Sequence, residues 1–128
     1  MKKVIFSEKA PAAIGPYSHG TSGAGLVFVS GQLGLDPATG QFVSDKTDEQ
    51  TKQALENLKS VLEAAGCSLE DVLKVTIFIK NMDEFPVINQ VYSGFFSQGN
   101  YPARCVVEVS RLPKDALVEI EAIALAKS

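Results

Sequence analysis

The last strand-like run, Leu117–Ala126, limits the possible folds more than any other segment. Val118, Ile120, Ala122 and Ala124 share one side at a period of two, and Glu119, Glu121, Ile123 and Leu125 share the other. Neither side is plainly polar. A strand of this kind is covered on both faces. The chain must therefore supply one layer over its sheet and find a second. Two helical segments can supply the first. A small domain can cover the other face by associating with copies of itself.

The remaining elements follow from periodicity and turn chemistry. Val4–Phe6 predicts a short strand, and Tyr17–Ser22 with Leu26–Ser30 predicts a hairpin around Gly23-Ala24-Gly25. Asp36-Pro37-Ala38-Thr39-Gly40 is a turn. Thr47 stands three residues before Gln50, the spacing of a capping box. Ala54, Leu55, Leu58, Val61, Leu62 and Ala65 then make one apolar helical face, closed by Gly66. Val72–Lys80 reads as a strand, with Val75, Ile77 and Ile79 on one side and Thr76 and Phe78 on the other. A second helix opens at Asn81 or Asp83, tolerates Pro86 in its first turn, buries Phe85, Ile88, Tyr92, Phe95 and Phe96, and ends at Gly99. Arg104–Val109 is a further strand, expected to be mostly buried. The order β-β-β-α-β-α-β-β predicts an α+β sandwich: a mixed sheet with two helices on one face, in a single domain spanning residues 1–128.

Composition removes several classes of function. Net charge is -3 and the lysines are scattered, so no basic stripe is available to track a phosphate backbone and no nucleic-acid partner is expected. The apolar runs are too short to span a membrane, and the N-terminus lacks the apolar stretch of a secretory signal. Two separated cysteines, Cys67 and Cys105, fit a cytoplasmic protein with reduced thiols. One histidine and two cysteines are too few for a Cys/His metal site, so no metal is expected. His19, beside Gly20, reads as a solvated or capping turn residue. Cys105 alternates with Arg104 and reads as a core residue on the face of Val107 and Val109.

Arg104 is the candidate for chemistry. Its guanidinium keeps its proton and presents a fork of donors suited to carboxylate or phosphate. At the head of an apolar strand it needs an anion. Glu108, Glu119 and Glu121 could satisfy it internally, and a ligand could do so instead. Two strands joined by a short connection could bring Arg104 and Glu119 to one end of the sheet.

The motifs around Arg104 carry a resemblance. Pro102-Ala103-Arg104, Arg111-Leu112-Pro113-Lys114-Asp115 and Val118-Glu119-Ile120-Glu121 are similar to the signature of the Rid (YjgF-type) family of reactive-intermediate deaminases. The N-terminal Ala10–Tyr17 segment, Ser30-Gly31-Gln32, Asp36-Pro37, Leu55–Lys59 and Ala64-Ala65-Gly66 resemble it too. The resemblance implies a chorismate-mutase-like α+β sandwich that forms a homotrimer, its sheets an inner barrel and its active sites between subunits. It implies hydrolysis of small 2-imino acids, such as 2-iminobutanoate and 2-iminopropanoate, to 2-oxo acids and ammonia without a cofactor. Arg104 would hold the substrate carboxylate, and Glu119 would hold and polarise the attacking water. Backbone groups at Gly31 and Val106 would contact substrate or water. Tyr17, from a neighbouring subunit, would complete the pocket with Ser30 and Asn89. Many relatives carry a cysteine two residues after the arginine. Here that residue is Val106, so thiol chemistry is not expected there. A regulatory module binding 2-oxo acids in the same cleft is the second reading. An RNA-directed ribonuclease or translation inhibitor is the third, and the acidic charge counts against it.

Overall fold

The computed structural model describes residues 1–127. The strands are β1 (Lys3–Ile5), β2 (Gly20–Gly23), β3 (Leu26–Leu33), β4 (Val72–Ile79), β5 (Ala103–Glu108) and β6 (Val118–Leu125), and the helices are α1 (Thr47–Ala64) and α2 (Phe85–Ser93). The six strands form one sheet in the order β1-β2-β3-β6-β4-β5. Neighbours are antiparallel except β4 and β5, which are parallel and joined through α2. This is the mixed sheet expected from the sequence, with β6 between β3 and β4.

Both helices pack on one face. Val27, Val29, Val75, Ile77, Ile79, Val118, Ile120, Ala122 and Ala124 meet Ala54, Leu55, Leu58, Val61 and Leu62 of α1 and Ile88 of α2 in one buried cluster. Burying each large aliphatic side chain contributes about 1.5–3 kcal/mol. The other face is open in the single chain. It presents Phe28, Ile123, Leu125, Phe78 and Val107, with Phe28 43% and Leu125 53% exposed. Only one end is covered, where Leu33 and Leu35 pack with Leu112 and Ala116 under the β5–β6 connection.

Three local expectations are corrected. Thr47 is inside α1, and Lys46 flanks the helix without a side-chain cap. The Gln50 side chain turns instead to the loop before α1 and the residue that enters β6: Nε2 donates to Ser44 O at 3.0 Å and Oε1 accepts from Leu117 N at 3.0 Å. Gln50 is buried, so these long-range bonds satisfy a group that a capping box would leave half used. Gly34 permits the approach, since a Cβ there would lie 2.6 Å from Gln50 Cα. Next, α2 stops at Ser93, not near Gly99: the amides of Gly94 and Phe95 bond back three residues, to Val91 O and Tyr92 O, and close the last turn. Finally, β5 is an edge strand and mostly exposed, with only Val106 half-buried. Cys105 is therefore exposed and not in the core. The alternation with Arg104 holds, but the helix-covered face of β5 is the one that carries Arg104 and Val106.

His19 is also corrected. It is 4% exposed, not solvated. Its Nδ1 accepts from Ser7 N at 3.1 Å, so Nε2 carries the proton and donates to Pro11 O at 2.9 Å. The ring stacks on Phe6 at 5.2 Å and fastens the N-terminal segment to β2.

Asn57 performs a similar service for α1. Its Nδ2 donates to Leu33 O at 3.0 Å and Leu35 O at 2.9 Å, fully buried. Asn57→Ala leaves two buried carbonyls unpaired and should lower stability by about 2–4 kcal/mol in urea unfolding.

Candidate functional site

The candidate residues form two groups, one on each face of the sheet. The first lies on the helix-covered face. Pro102 and Tyr101 lead into β5, and the loop before them is fastened to the one-turn helix Leu69–Asp71. There Asn100 Nδ2 donates to Glu70 Oε2 at 2.7 Å, and the Ser97 hydroxyl donates to Glu70 Oε1. These bonds, Ser97 first and Asn100 second, hold the Glu70 carboxyl below its usual range. β5 pairs in parallel with β4, and Arg104 stands beside Val75, so its side chain shares the face of the core residues. The guanidinium lies over the Tyr92 ring at 4.8 Å and near the Phe85 ring at 5.5 Å. It faces a cavity of about 400 Å³ lined by Asn89, Tyr92, Ser93, Tyr101, Pro102 and Arg104.

No internal anion satisfies Arg104 among the described residues. The ion pairs there are Arg111–Asp115 and Lys127–Asp71. Glu108 is engaged elsewhere, its Oε1 accepting from Met82 N at 2.8 Å. Val106, two residues on, stands beside Ile77 and packs against the core.

The second group lies on the open face. Between Val29 and Gln32 the β3–β6 register shifts, so that Ser30 and Gly31 together oppose Glu121. Ser30 N donates to His19 O at 3.0 Å and Ser30 Oγ donates to Ser18 O at 2.7 Å. With its proton committed, Ser30 Oγ has only lone pairs to offer a ligand. Gly31 brings its backbone against the Glu119 carboxyl, and a Cβ there would lie 2.8 Å from Glu119 Cδ. Tyr17 is 45% exposed and lines, with Ile14, Ser30, Gly31, Leu33, Pro113, Glu119 and Glu121, a cavity of about 380 Å³. Pro113 is presented by a turn in which Lys114 and Asp115 have φ of 57° and 58°. Lys114 Nζ donates to Gly40 O at 3.1 Å, and Arg111 pairs with Asp115 at 2.7 Å across that turn.

Glu119 holds its proton more tightly than an ordinary glutamate. Burial raises its pKa, and the neighbouring Glu121 charge raises it further. A carboxylate lifted in this way holds a proton more readily than a solvated one.

The sequence allowed Arg104 and Glu119 to meet at one end of the sheet on adjacent antiparallel strands without fixing their register, and the structure separates them. β4 lies between β5 and β6, and Glu119 pairs with Phe78 on the face opposite Val75 and Arg104. Tyr17, Ser30 and Gly31 gather around Glu119, while Asn89 and Arg104 gather on the other face. Sequence reading missed Tyr101, Pro113 and Glu121 as lining residues and took Tyr92 only as core. Tyr92 gave no further signal, because a buried aromatic at helical spacing is ordinary.

The family model described as Endoribonuclease L-PSP matches residues 7–126. The chain belongs to that family, the Rid (YjgF-type) proteins. Its Rid relatives are similar from end to end. A RutC family protein of Pyrococcus horikoshii is 53% identical, over 97% of this chain and 98% of that one. The 2-iminobutanoate/2-iminopropanoate deaminase of Salmonella typhimurium is 47% identical, over 98% of each. The crystal structure of Escherichia coli TdcF with bound serine superposes with a TM-score of 0.91 at 43% identity, covering 98% of this chain and 99% of that one. The α+β fold of this Rid protein matches that structure.

Two measurements check the electrostatics of Glu119. Its carboxyl titration by NMR should have a midpoint above the ordinary glutamate value of about 4.3, and Glu121→Gln should lower the midpoint only in part, because burial is the larger cause. A raised native pKa means the folded state binds the proton more tightly than the unfolded one. Glu119→Gln should therefore stabilise the protein above the native pKa, with the gain vanishing as pH falls below the unfolded value.

Proposed function

We propose that this protein hydrolyses reactive 2-imino acids, of the 2-iminobutanoate and 2-iminopropanoate class, to 2-oxo acids and ammonia. The observation that carries the reading is an arginine with no counter-ion among the described residues, facing a cavity, in a chain that also holds a raised-pKa glutamate against a bare backbone. The Salmonella relative named for this activity supports it.

In this reading Arg104 takes the substrate carboxylate in a bidentate pair and fixes the C2 atom. The protonated imine is its own electron sink, so the reaction needs no cofactor. Glu119 removes a proton from water as the oxygen bonds to C2, giving a carbinolamine. The proton on Glu119 then passes to the amine nitrogen. The C–N bond breaks as the hydroxyl loses its proton and becomes the carbonyl. Ammonia leaves and takes up that proton as ammonium. Ser30 Oγ, able only to accept, suits the N–H groups of the iminium. The Gly31 and Val106 backbones, Asn89 and Tyr17 complete the enclosure.

Because the Arg104 and Glu119 groups lie on opposite faces, one chain does not close this site. We assign the completion to a second copy, with the Arg104 face of one subunit meeting the Tyr17–Ser30–Gly31–Glu119 group of the next. The apolar open face, with Phe28 and Leu125 half exposed, supports burial against copies of the same chain, in the trimer with an inner barrel that the family resemblance implies. An RNA-cleaving reading is weaker. His19 has both ring nitrogens on backbone partners and is unavailable as an acid or base.

The test generates 2-iminobutanoate in situ with a threonine dehydratase and follows its decay. The wild-type protein should shorten the lifetime of the imine. Arg104→Ala should lower kcat/KM by about 100-fold or more, the loss of a charge-assisted bidentate pair. Acceleration that survives Arg104→Ala rejects the assignment. Since Glu119 must be ionised to act, kcat/KM should fall as pH drops through a value above the ordinary glutamate range, and Glu119→Gln should remove that limb.

A further inference from the structure

The group on which Arg104 rests is an uncharged one. Its guanidinium carbon lies 4.8 Å from the centre of the Tyr92 ring and 5.5 Å from that of Phe85. Tyr92 is itself held: it is 4% exposed, and its ring packs at 4.6 Å on Phe96, which is 5% exposed. Its hydroxyl is buried without a hydrogen-bond partner among the described residues. The phenol thus makes no bond that would explain its place, while its ring makes a close contact with the one cation in the cavity. Burial pushes the hydroxyl pKa up to about 12, against an opposing pull from Arg104. At neutral pH the ring is neutral, so it steers the guanidinium through its π face without quenching the charge.

We infer that Tyr92 is the positioning residue for Arg104, its ring a platform that presents the guanidinium donors to an anionic ligand while leaving their charge unspent. A carboxylate in the same place would pair with Arg104 and compete with substrate. An aliphatic residue would fill the volume but leave a long flexible side chain to be ordered at the moment of binding. Phe85 adds a second, more distant ring, 5.5 Å from the guanidinium carbon. The inference rests on the reading of this cavity as the carboxylate half of an imine-hydrolysing site. The platform itself is a property of the folded chain, and one arm of the test needs no turnover.

That arm is the Arg104 Nε–Hε resonance in the folded protein. A guanidinium stacked on an aromatic face is shifted upfield by the ring current. The shift should be present in the wild type, kept in Tyr92→Phe and lost in Tyr92→Leu. The second arm is kinetic. Tyr92→Phe should stay within about 3-fold of wild type in both constants. Tyr92→Leu should raise KM about 10-fold, the fold-change of a stacking contact, with kcat changed much less. If leucine leaves too large a gap for folding, Tyr92→Met fills the space without a π face and carries the same expectation. An Arg104 resonance unmoved in the non-aromatic variants overturns the inference. So does a KM in Tyr92→Phe that rises as far as in Tyr92→Leu, which would make the hydroxyl the operative group. If the wild type leaves imine lifetime unchanged, the proposed function fails while the resonance still decides the platform.

Discussion

Strand β4 is paired on both sides, and those two ladders decide where the chemistry of this chain can go. On one side Val75 stands beside Arg104, and on the other Phe78 stands beside Glu119. Successive residues of a strand point to opposite faces. The separation of Val75 from Phe78 by an odd number of residues therefore puts the arginine under the helices and the glutamate on the open face. A one-residue slip in either ladder would bring them to the same face: in the β4–β6 ladder it would also turn out a buried row, Val75, Ile77 and Ile79 or Val118, Ile120 and Ala122, and in the β4–β5 ladder it would take Val106 off the core. The hydrophobic core thus fixes the register, and the register divides the candidate residues between two faces.

Each half is then built by local means. On the helix-covered face the α2 crossover delivers Tyr92, Phe85 and Asn89 to the side of β5 where Arg104 emerges, and Glu70 holds the loop that brings Tyr101 and Pro102 to the cavity. On the open face a two-for-one bulge at Ser30-Gly31 and the absence of a side chain at Gly31 let the Glu119 carboxyl settle against backbone. The cost of that setting is partial desolvation beside Glu121, and the raised pKa is its consequence. The same open face carries the apolar residues that favour a second copy.

Much of the fold was legible because hydrophobic periodicity is local information. The α1 face from Ala54 to Leu62 and the alternation of Val75, Ile77 and Ile79 emerge as read, fully buried. What failed depended on distant partners. His19 looked like a turn residue because the amide and carbonyl that hold it belong to Ser7 and Pro11. Thr47–Gln50 had the spacing of a cap, but Gln50 bonds to Ser44 and Leu117. Cys105 was correctly placed opposite Arg104, yet its apolar neighbours suggested the wrong face as core. The face of β5 is set by the parallel ladder to β4, which no local pattern encodes. The candidate residues were legible by type and motif, while their division into two groups was not, because β5 and β6 are consecutive in sequence but not neighbours in the sheet.

The central claim is that Arg104 of one subunit works with Glu119 of another, and subunit mixing tests it most directly. Arg104→Ala and Glu119→Gln proteins, each strongly impaired alone, would be unfolded together in equal amounts, refolded and assayed for imine hydrolysis. In a closed ring of randomly mixed subunits, about one interface in four joins an intact Arg104 to an intact Glu119. Recovery of about a quarter of the wild-type activity per site is expected. Reassembled mixtures that stay as impaired as their parents would contradict the claim.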